Sequence, residues 1–465
     1  MKLLEELEQL FVTPALATNR KVVVRTAPSP TGNLHIGTAR LALFNYLFAR
    51  KHGGKIILRI EDTDTTRSKK EFEDDILESL RWLSLSHDEF YRQSERGSVY
   101  QKHLLRLIKE KKAYLSREPS QSNPAVEIEV VRLRNQNRII SFEDEIRGTI
   151  SFDTMELGDF VIARSLSDAL YHFAVVVDDV EMGVTHVIRG DDHISNTPRH
   201  ILIQEALGAP RPVYAHIPLV LAPDHSKLSK RHGATAIREY REQGFLPEAL
   251  INYLALLGWN PGTTQELFTL SELIKEFDLS QVHKSGAIFD IEKLRWFNRE
   301  YLRRLPPAEA LALIGNALPE AIKALPHFSE ERLQKVAPLL IERIAVFSDI
   351  AKLVKEEELQ YFFERPAVAP EDLAWKDTNA ATIAEHLQYL CEKLGDIPEK
   401  MFTQDTVREA IFGYATEKGR GAVLWPMRYA LSGKKQSPDP FVLSGIFGKE
   451  ETIARLTAAS ATIAK

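Results

Sequence analysis

The spacing of apolar positions changes along the chain, and each change predicts a different element. "KVVVR" (Lys21 to Arg25) is a continuous β-branched run and predicts a buried strand. "TARLALFNYLFARKH" (Thr38 to His52) carries apolar residues at helical spacing, and the following Gly-Gly pair stops it. "KIILRI" (Lys55 to Ile60) predicts a second strand. Strand, helix and strand within about forty residues make a βαβ unit and argue for a parallel sheet. Lys69 to Leu83 and Ser98 to Tyr114 read as helices. "SREPSQSNPAVE" (Ser116 to Glu127) reads as a loop. "IEVVRLR", "TISFD", "DFVIARS" and "LYHFAVVVD" then predict short strands, an insertion with its own small sheet. Alternation of α and β returns with "THVIRG", "PRHILIQEALG" and "VYAHIPLVL". From Thr235 onward apolar residues recur at helical spacing, with breaks near Pro306, Pro326 and Pro366. The expected architecture is an α/β domain interrupted by an insertion, then a mainly helical half.

Composition narrows this only a little. At 465 residues the chain has room for two to four domains. Its net charge of −5 announces no global nucleic-acid field, although a local basic surface remains open. Cys391 is the one cysteine, so an internal disulfide and a Cys-rich metal site are excluded. No apolar run approaches the roughly 20 residues of a membrane span. Glutamates interrupt the leucines of the first twenty residues, which predicts a short amphipathic helix rather than a secretory signal. A cytoplasmic protein is expected.

Chemistry concentrates at two turns. In "RTAPSPTGNLHIGTAR" (Arg25 to Arg40), Gly32 and Gly37 remove side chains where a backbone must come close to something. A helix begins near Gly37, and its unpaired first amides with their positive dipole end favour an anion. Walker-type and G-x-G-x-x-G loops are both missing from the sequence. By itself His35 could be a structural turn histidine. The second turn, "KLSKR" (Lys227 to Arg231), flanks a serine with cations. A solvated basic turn is its plain reading; mobile cations beside a phosphoryl group that gains charge is its functional one.

Taken together, His35-Ile36-Gly37-Thr38 resembles the "HIGH" motif of class I aminoacyl-tRNA synthetases, and Lys227 to Arg231 resembles their "KMSKS" motif. "APSPTGNLHIGT" and "RIEDTD" narrow the resemblance to the glutamyl/glutaminyl branch. "GFLPEALINYLALLGW", "FDIEKLRWFN" and "YATEKGRGAVLWPMRYALSG" resemble bacterial-type glutamyl-tRNA synthetases. The resemblance runs from about Lys21 to the C-terminus. It implies a Rossmann-type catalytic domain (21–100 and 185–238) with an α+β insertion that grips the acceptor arm (101–184). A stem-contact domain (239–306) and an all-α anticodon-binding domain (307–465) would follow, with 1–20 as an extension.

The activity implied is glutamate activation by ATP and transfer to the 3′ end of tRNA(Glu). Carried over residue by residue, catalysis falls to His35, Lys227 and Lys230. ATP falls to Pro28, Gly37, Thr38, Lys227, Ser229 and Lys230. Glutamate falls to Arg25, Ser29, Glu61, Tyr171 and Arg189, with the two arginines facing carboxylates and Glu61 the ammonium. An ordinary ion-pair network at strand ends is the competing account of these residues. Mg²⁺ would arrive with ATP. Many relatives bind zinc in the insertion, but "KKAYLSREPSQS" has no cysteine, so no zinc is expected. The insertion is also short between Tyr114 and Ile150, and Val175 stands where some relatives have a polar pocket residue. Arg343, in "LLIERIAVF", matches an anticodon-reading position. It implies discrimination against tRNA(Gln); an enzyme charging both tRNAs is the alternative. A monomer is expected. Rival readings are a truncated tRNA-modifying relative, a small-molecule nucleotidyltransferase, and an inactive tRNA-binding paralogue. The helical stretch after Leu305 argues against the first two, and the intact motif residues against the third.

Overall fold

The computed structural model describes residues 21–119 and 127–463, with the Lys230 side chain excepted. The helix expected over residues 1–20 lies outside the described residues. Residues through Phe297 form one compact unit and residues from Asn298 a second.

In the first unit, β1 (Val23–Thr26) leads into α1 (Ile36–Lys51), which returns through the glycine pair to β2 (Lys55–Ile60). The return is tight. Gly53 has φ +59°, and a Cβ on Gly54 would lie 2.6 Å from Val22 O. α2 (Lys70–Trp82) crosses to β3 (Glu89–Arg92), and β1, β2 and β3 pair in parallel. The pattern did not predict β3, because all its side chains are half-buried and Glu89 pairs with Lys55. α3 (Gly97–Lys109) follows.

The strands expected in an insertion divide between two sheets. β4 (Ala113–Pro119) and β5 (Glu127–Leu133) pair antiparallel. They take up both ends of the stretch expected to be a loop, whose centre lies outside the described residues. β6 (Ile139–Asp144) and β7 (Gly148–Asp153) form a hairpin, and β8 (Phe160–Ser165) and β9 (Asp168–Ala169) complete the β4-β5-β8-β9 sheet. "LYHFAVVVD" is a helix, α4 (Tyr171–Glu181), and not a strand. Phe173 through Asp179 are buried on every face, and a short run apolar all round carries no period to tell helix from strand.

β10 (His186–Gly190), α5 (Thr197–Ala206) and β11 (Val213–Ile217) restore the parallel layer. β10 runs beside β1: the Thr185 N–H donates to Val23 O at 2.9 Å. The β6–β7 hairpin joins the free edge of β11 through Tyr214 and Asp144. The single strand expected over "VYAHIPLVL" breaks at Pro218 and resumes as β12 (Val220–Leu221). Pro218 has no N–H for a ladder, and its carbonyl accepts from the buried Arg40 Nη1 at 2.7 Å. α6 (Ile237–Glu242), α7 (Pro247–Leu256) and α8 (Leu270–Glu276) follow, then β13 (Ala287–Ile288), which pairs with β12, and α9 (Ile291–Leu302).

The second unit continues with helices α10 (Pro307–Ala317), α11 (Glu320–Lys323), α12 (Glu330–Arg343), α13 (Asp349–Lys355), α14 (Ala380–Gly395), α15 (Gln404–Lys418), α16 (Arg420–Ser432) and α17 (Pro440–Ile463), the last broken by a kink at Gly448. Buried Arg455 ties this unit together. It pairs with Glu451 and donates to the carbonyls of Tyr361, Leu431 and Glu364 at 2.6–2.9 Å. No helix among the described residues is long and apolar enough to cross a membrane.

Candidate active site

The chain leaves β1 in one direction through α1 to β2, and β10 lies on the other side of β1. Connections therefore reverse between β1 and β10, and in open α/β sheets ligands bind outside the carboxyl ends of strands at such a point. Arg25 near the end of β1, Glu61 just past β2, and Arg189 near the end of β10 all sit there. Pro28 O accepts the Glu61 N–H at 3.0 Å, which ties the loop after β1 to the end of β2. Ser29, next to Pro28, is exposed.

His35 is the N-cap of α1. Its Nδ1 accepts the amides of Gly37 at 3.1 Å and Thr38 at 3.3 Å. The Ile36 amide donates to Thr235 O, and the Ala39 amide to His35 O. So the helix start does not offer the free amides that the sequence suggested; the histidine and a neighbouring loop already satisfy them. The arrangement also sets the tautomer. With Nδ1 accepting, the ring proton is on Nε2, 3.0 Å from Thr38 Oγ1. Desolvation and the Lys227 ammonium push the imidazole below the ordinary histidine range, against the pull of Asp192. His35 is therefore a neutral hydrogen-bond donor. Gly37 leaves room for this ring position, because a Cβ there would crowd it at 3.0 Å. Gly32, by contrast, meets no protein atom within 4 Å.

The basic turn is brought to His35 by the backbone. The Ile237 amide donates to Leu34 O at 2.8 Å, which with the Ile36–Thr235 bond makes a short antiparallel bridge. Lys227 reaches Asp192 at 3.4 Å. Ser229 precedes the turn that Lys230 opens; its carbonyl accepts the His232 amide at 2.9 Å, and its hydroxyl is 3.2 Å from His232 Nδ1.

At the other end, Arg25, Arg59, Glu61 and Asp179 form a buried cluster. Arg59 Nη1 is 2.7 Å from Asp179 and its Nη2 is 3.1 Å from Glu61, while Arg25 Nε is 3.2 Å from Asp179. Burial would raise the Asp179 carboxyl, but the two guanidinium groups outweigh it and hold it low. Burial wins at Glu61, whose carboxyl is pushed up despite Arg59 and Arg25. Tyr171 faces this cluster; burial and the Glu61 charge push its phenol up. Arg189 is nearby but spends its donors differently, on His216, His200 and Thr197. Sequence reasoning missed Arg59, Asp179 and the histidines. The only available signals were one arginine inside an apolar strand and a double aspartate closing an apolar run.

A family model described as "tRNA synthetases class I (E and Q), catalytic domain" matches residues 21–123 and 115–296. The chain belongs to this family. An "Anticodon binding domain" model matches residues 312–460. The glutamate–tRNA ligase of Carboxydothermus hydrogenoformans is 39% identical, over 94% of this chain and 99% of that protein. The Aquifex aeolicus glutamate–tRNA ligase is 40% identical, over 94% and 98%. A crystal structure of a glutamate tRNA ligase from Elizabethkingia meningosepticum, in complex with its amino acid, superposes with a TM-score of 0.83 at 34% identity. It covers 96% of this chain and all of that one. The fold class is thus a class I α/β catalytic unit followed by a helical half. Arg343, at the end of α12, lies in the second unit and pairs with Glu358 at 3.1 Å.

Proposed function

We propose that this chain is a glutamate–tRNA ligase. It joins L-glutamate to ATP as glutamyl-adenylate and then transfers the glutamyl group to the 3′ end of tRNA(Glu). The observation that carries the reading is the meeting of Arg25, Arg189 and Glu61 at the carboxyl ends of β1, β10 and β2. Two cations and an anion complement the two carboxylates and one ammonium of glutamate. Ser29 and Tyr171 complete that pocket.

In the first step a glutamate α-carboxylate oxygen attacks the α-phosphorus of ATP. The bond to the bridging oxygen breaks and pyrophosphate leaves. Class I tRNA synthetases use ATP. Its phosphates would pass the start of α1 at Gly37 and Thr38, whose amides His35 already holds, and would take the His35 Nε2–H from Thr38 Oγ1, with Pro28 lining the approach. Lys227, Lys230 and Ser229 would meet the departing pyrophosphate. In the second step the terminal tRNA hydroxyl attacks the adenylate carbonyl carbon and AMP leaves. Mg²⁺ would travel with ATP, and no zinc is required. The finer division into catalytic, acceptor-arm, stem-contact and anticodon segments belongs to the same proposal, as do a monomeric state and a cytoplasmic location. The deciding experiment is ATP–pyrophosphate exchange with and without tRNA(Glu), followed by charging. Glutamate-dependent exchange and charged tRNA(Glu) are expected; neither activity with any tRNA would overturn the reading.

We further propose that Arg343 reads the third anticodon base, C in tRNA(Glu) and G in tRNA(Gln). The pairing edge of cytosine offers acceptors to a guanidinium, whereas that of guanine offers mainly N–H donors. One such contact is worth about 1–3 kcal/mol of discrimination. Glu358 anchors one terminal nitrogen and orients the rest of the fork. Wild type is expected to charge tRNA(Glu) with glutamate and largely refuse tRNA(Gln), and Arg343→Gln to lose most of that preference. Equal charging of the two transcripts by wild type would end the assignment.

A further inference from the structure

Arg25 and Arg189 stand near the ends of neighbouring strands β1 and β10 but have opposite kinds of partner. Arg25 pairs with a carboxylate, and its charge is offset inside the cluster with Asp179. Arg189 pairs with none among the described residues. Its Nε donates to His216 Nε2 at 3.1 Å, its Nη1 to His200 Nδ1 at 3.0 Å, and its Nη2 to Thr197 Oγ1 at 2.8 Å and His193 O at 3.4 Å. Arg189, His200, His216 and Thr197 are all at most 6% exposed.

These contacts can be read in one direction only. A guanidinium has no acceptor, so His200 Nδ1 and His216 Nε2 must both be lone pairs. His200 then carries its proton on Nε2 and donates to His172 Nδ1 at 3.1 Å. His216 carries its proton on Nδ1 and donates to Asp144 Oδ2 at 2.6 Å. Asp144 is itself fixed by the amides of Ile146, Arg147 and His216 at 2.9–3.1 Å. Burial, then the Arg189 charge, keeps His200 neutral. Burial does the same at His216, against the hydrogen bond to Asp144, and holds His172 at about 4.

We propose that His200 and His216 form a neutral cradle that positions Arg189 without cancelling its charge, and that His172 and Asp144 set the tautomers of that cradle. Three different nitrogens of one planar group are held, so the group cannot turn. One Nη1–H has no protein partner among the described residues and remains for a carboxylate. A carboxylate partner would position Arg189 as well, but it would neutralise the cation that attracts the substrate. Imidazole acceptors give the geometry and keep the charge. The cradle rests on the reading of Arg189 as a glutamate-binding residue.

The test separates charge from geometry. His200→Gln keeps an acceptor toward Arg189 and a donor toward His172, so the KM for glutamate should stay within about threefold of wild type. His200→Glu forms an ion pair with Arg189. It should leave the KM for ATP unchanged while raising the KM for glutamate about ten- to hundredfold, as expected for a buried unit charge set against the cation that attracts the substrate. Equal KM values for glutamate in the two variants would overturn the charge argument. Nitrogen-15 NMR of labelled histidines gives an independent readout, with the His200 signals assigned by their loss in His200→Gln. His200 should show a protonated Nε2 and a bare Nδ1; the opposite tautomer, or imidazolium at neutral pH, would overturn the cradle even if glutamate is the substrate. Absence of glutamate-dependent exchange in wild type would instead overturn the functional reading and leave the tautomer result standing.

Discussion

Replacing His35 with alanine is expected to slow glutamate-dependent ATP–pyrophosphate exchange by about 10²–10³-fold, the usual cost of losing one preorganised stabiliser of transition-state charge. The structure separates two things this side chain does. Its Nδ1 closes the amides of Gly37 and Thr38. Its Nε2–H is then the group proposed to meet phosphate, where charge rises as pyrophosphate leaves. Alanine removes both. Asparagine at position 35 is a good N-cap and keeps an acceptor for the helix. His35→Asn is therefore expected to recover the stability lost in His35→Ala, about 1 kcal/mol, while remaining nearly as slow. Lys230→Ala should lose rate to a similar degree, because it removes a cation from the loop that the Ile36–Thr235 and Ile237–Leu34 bonds bring to α1. Glutamate binding, measured by calorimetry, should persist in all three variants. Near-normal exchange in His35→Ala or Lys230→Ala would remove the residue concerned from the chemistry.

Asp179→Ala is expected to destabilise the protein by about 3–5 kcal/mol, because it takes a carboxylate partner from two buried guanidinium groups at once and leaves Arg25 without one among the described residues. Arg59 is fully buried and 2.7 Å from this carboxylate; Arg25 is 3.2 Å away. Glu61 cannot replace it, since it already serves Arg59 at 3.1 Å. Asp178 lies 3.8 Å from Arg59 Nε but is already held by Arg96, Gln93 and Tyr100 at 2.6–2.9 Å. Urea melts followed by tryptophan fluorescence provide the measurement, and a loss below about 1 kcal/mol would show that the cluster relaxes around the gap.

The acid side follows from the same groups. The folded pKa of Asp179 is depressed, so its contribution is fully present above the unfolded value of about 3.9 and is lost as pH falls through the lower folded value. Glu61 acts in the opposite sense: its raised pKa means that protonation relieves a burial cost. Asp179→Asn should therefore flatten the acid limb of the stability curve, and Glu61→Gln should not.

Much of the site could be read along the chain because it is built from contiguous stretches. The turn from Arg25 to Arg40 contains a strand end, a histidine cap and the glycine that makes room for the ring. Local spacing specifies all three, so the sequence alone determined that a histidine opens a helix after a buried strand. It likewise determined the cationic turn at Lys227 to Arg231 and the helical second half. Tertiary structure decided what depends on residues far apart. Asp179 meets Arg25 across 154 positions and Arg59 across 120, and His216 meets Asp144 across 72. No local period encodes such pairings. The sheet edge open at β11 drew in the β6–β7 hairpin, although its residues read only as part of a separate insertion. Tyr171–Glu181 is a helix, although a run buried on every face suited a strand equally well. The free amides read into the start of α1 turned out to be taken, because one of their partners, Thr235 O, lies two hundred residues away. Sequence could place the chemistry at strand ends; only the packed structure could show which charges are spent on the protein and which remain for a substrate.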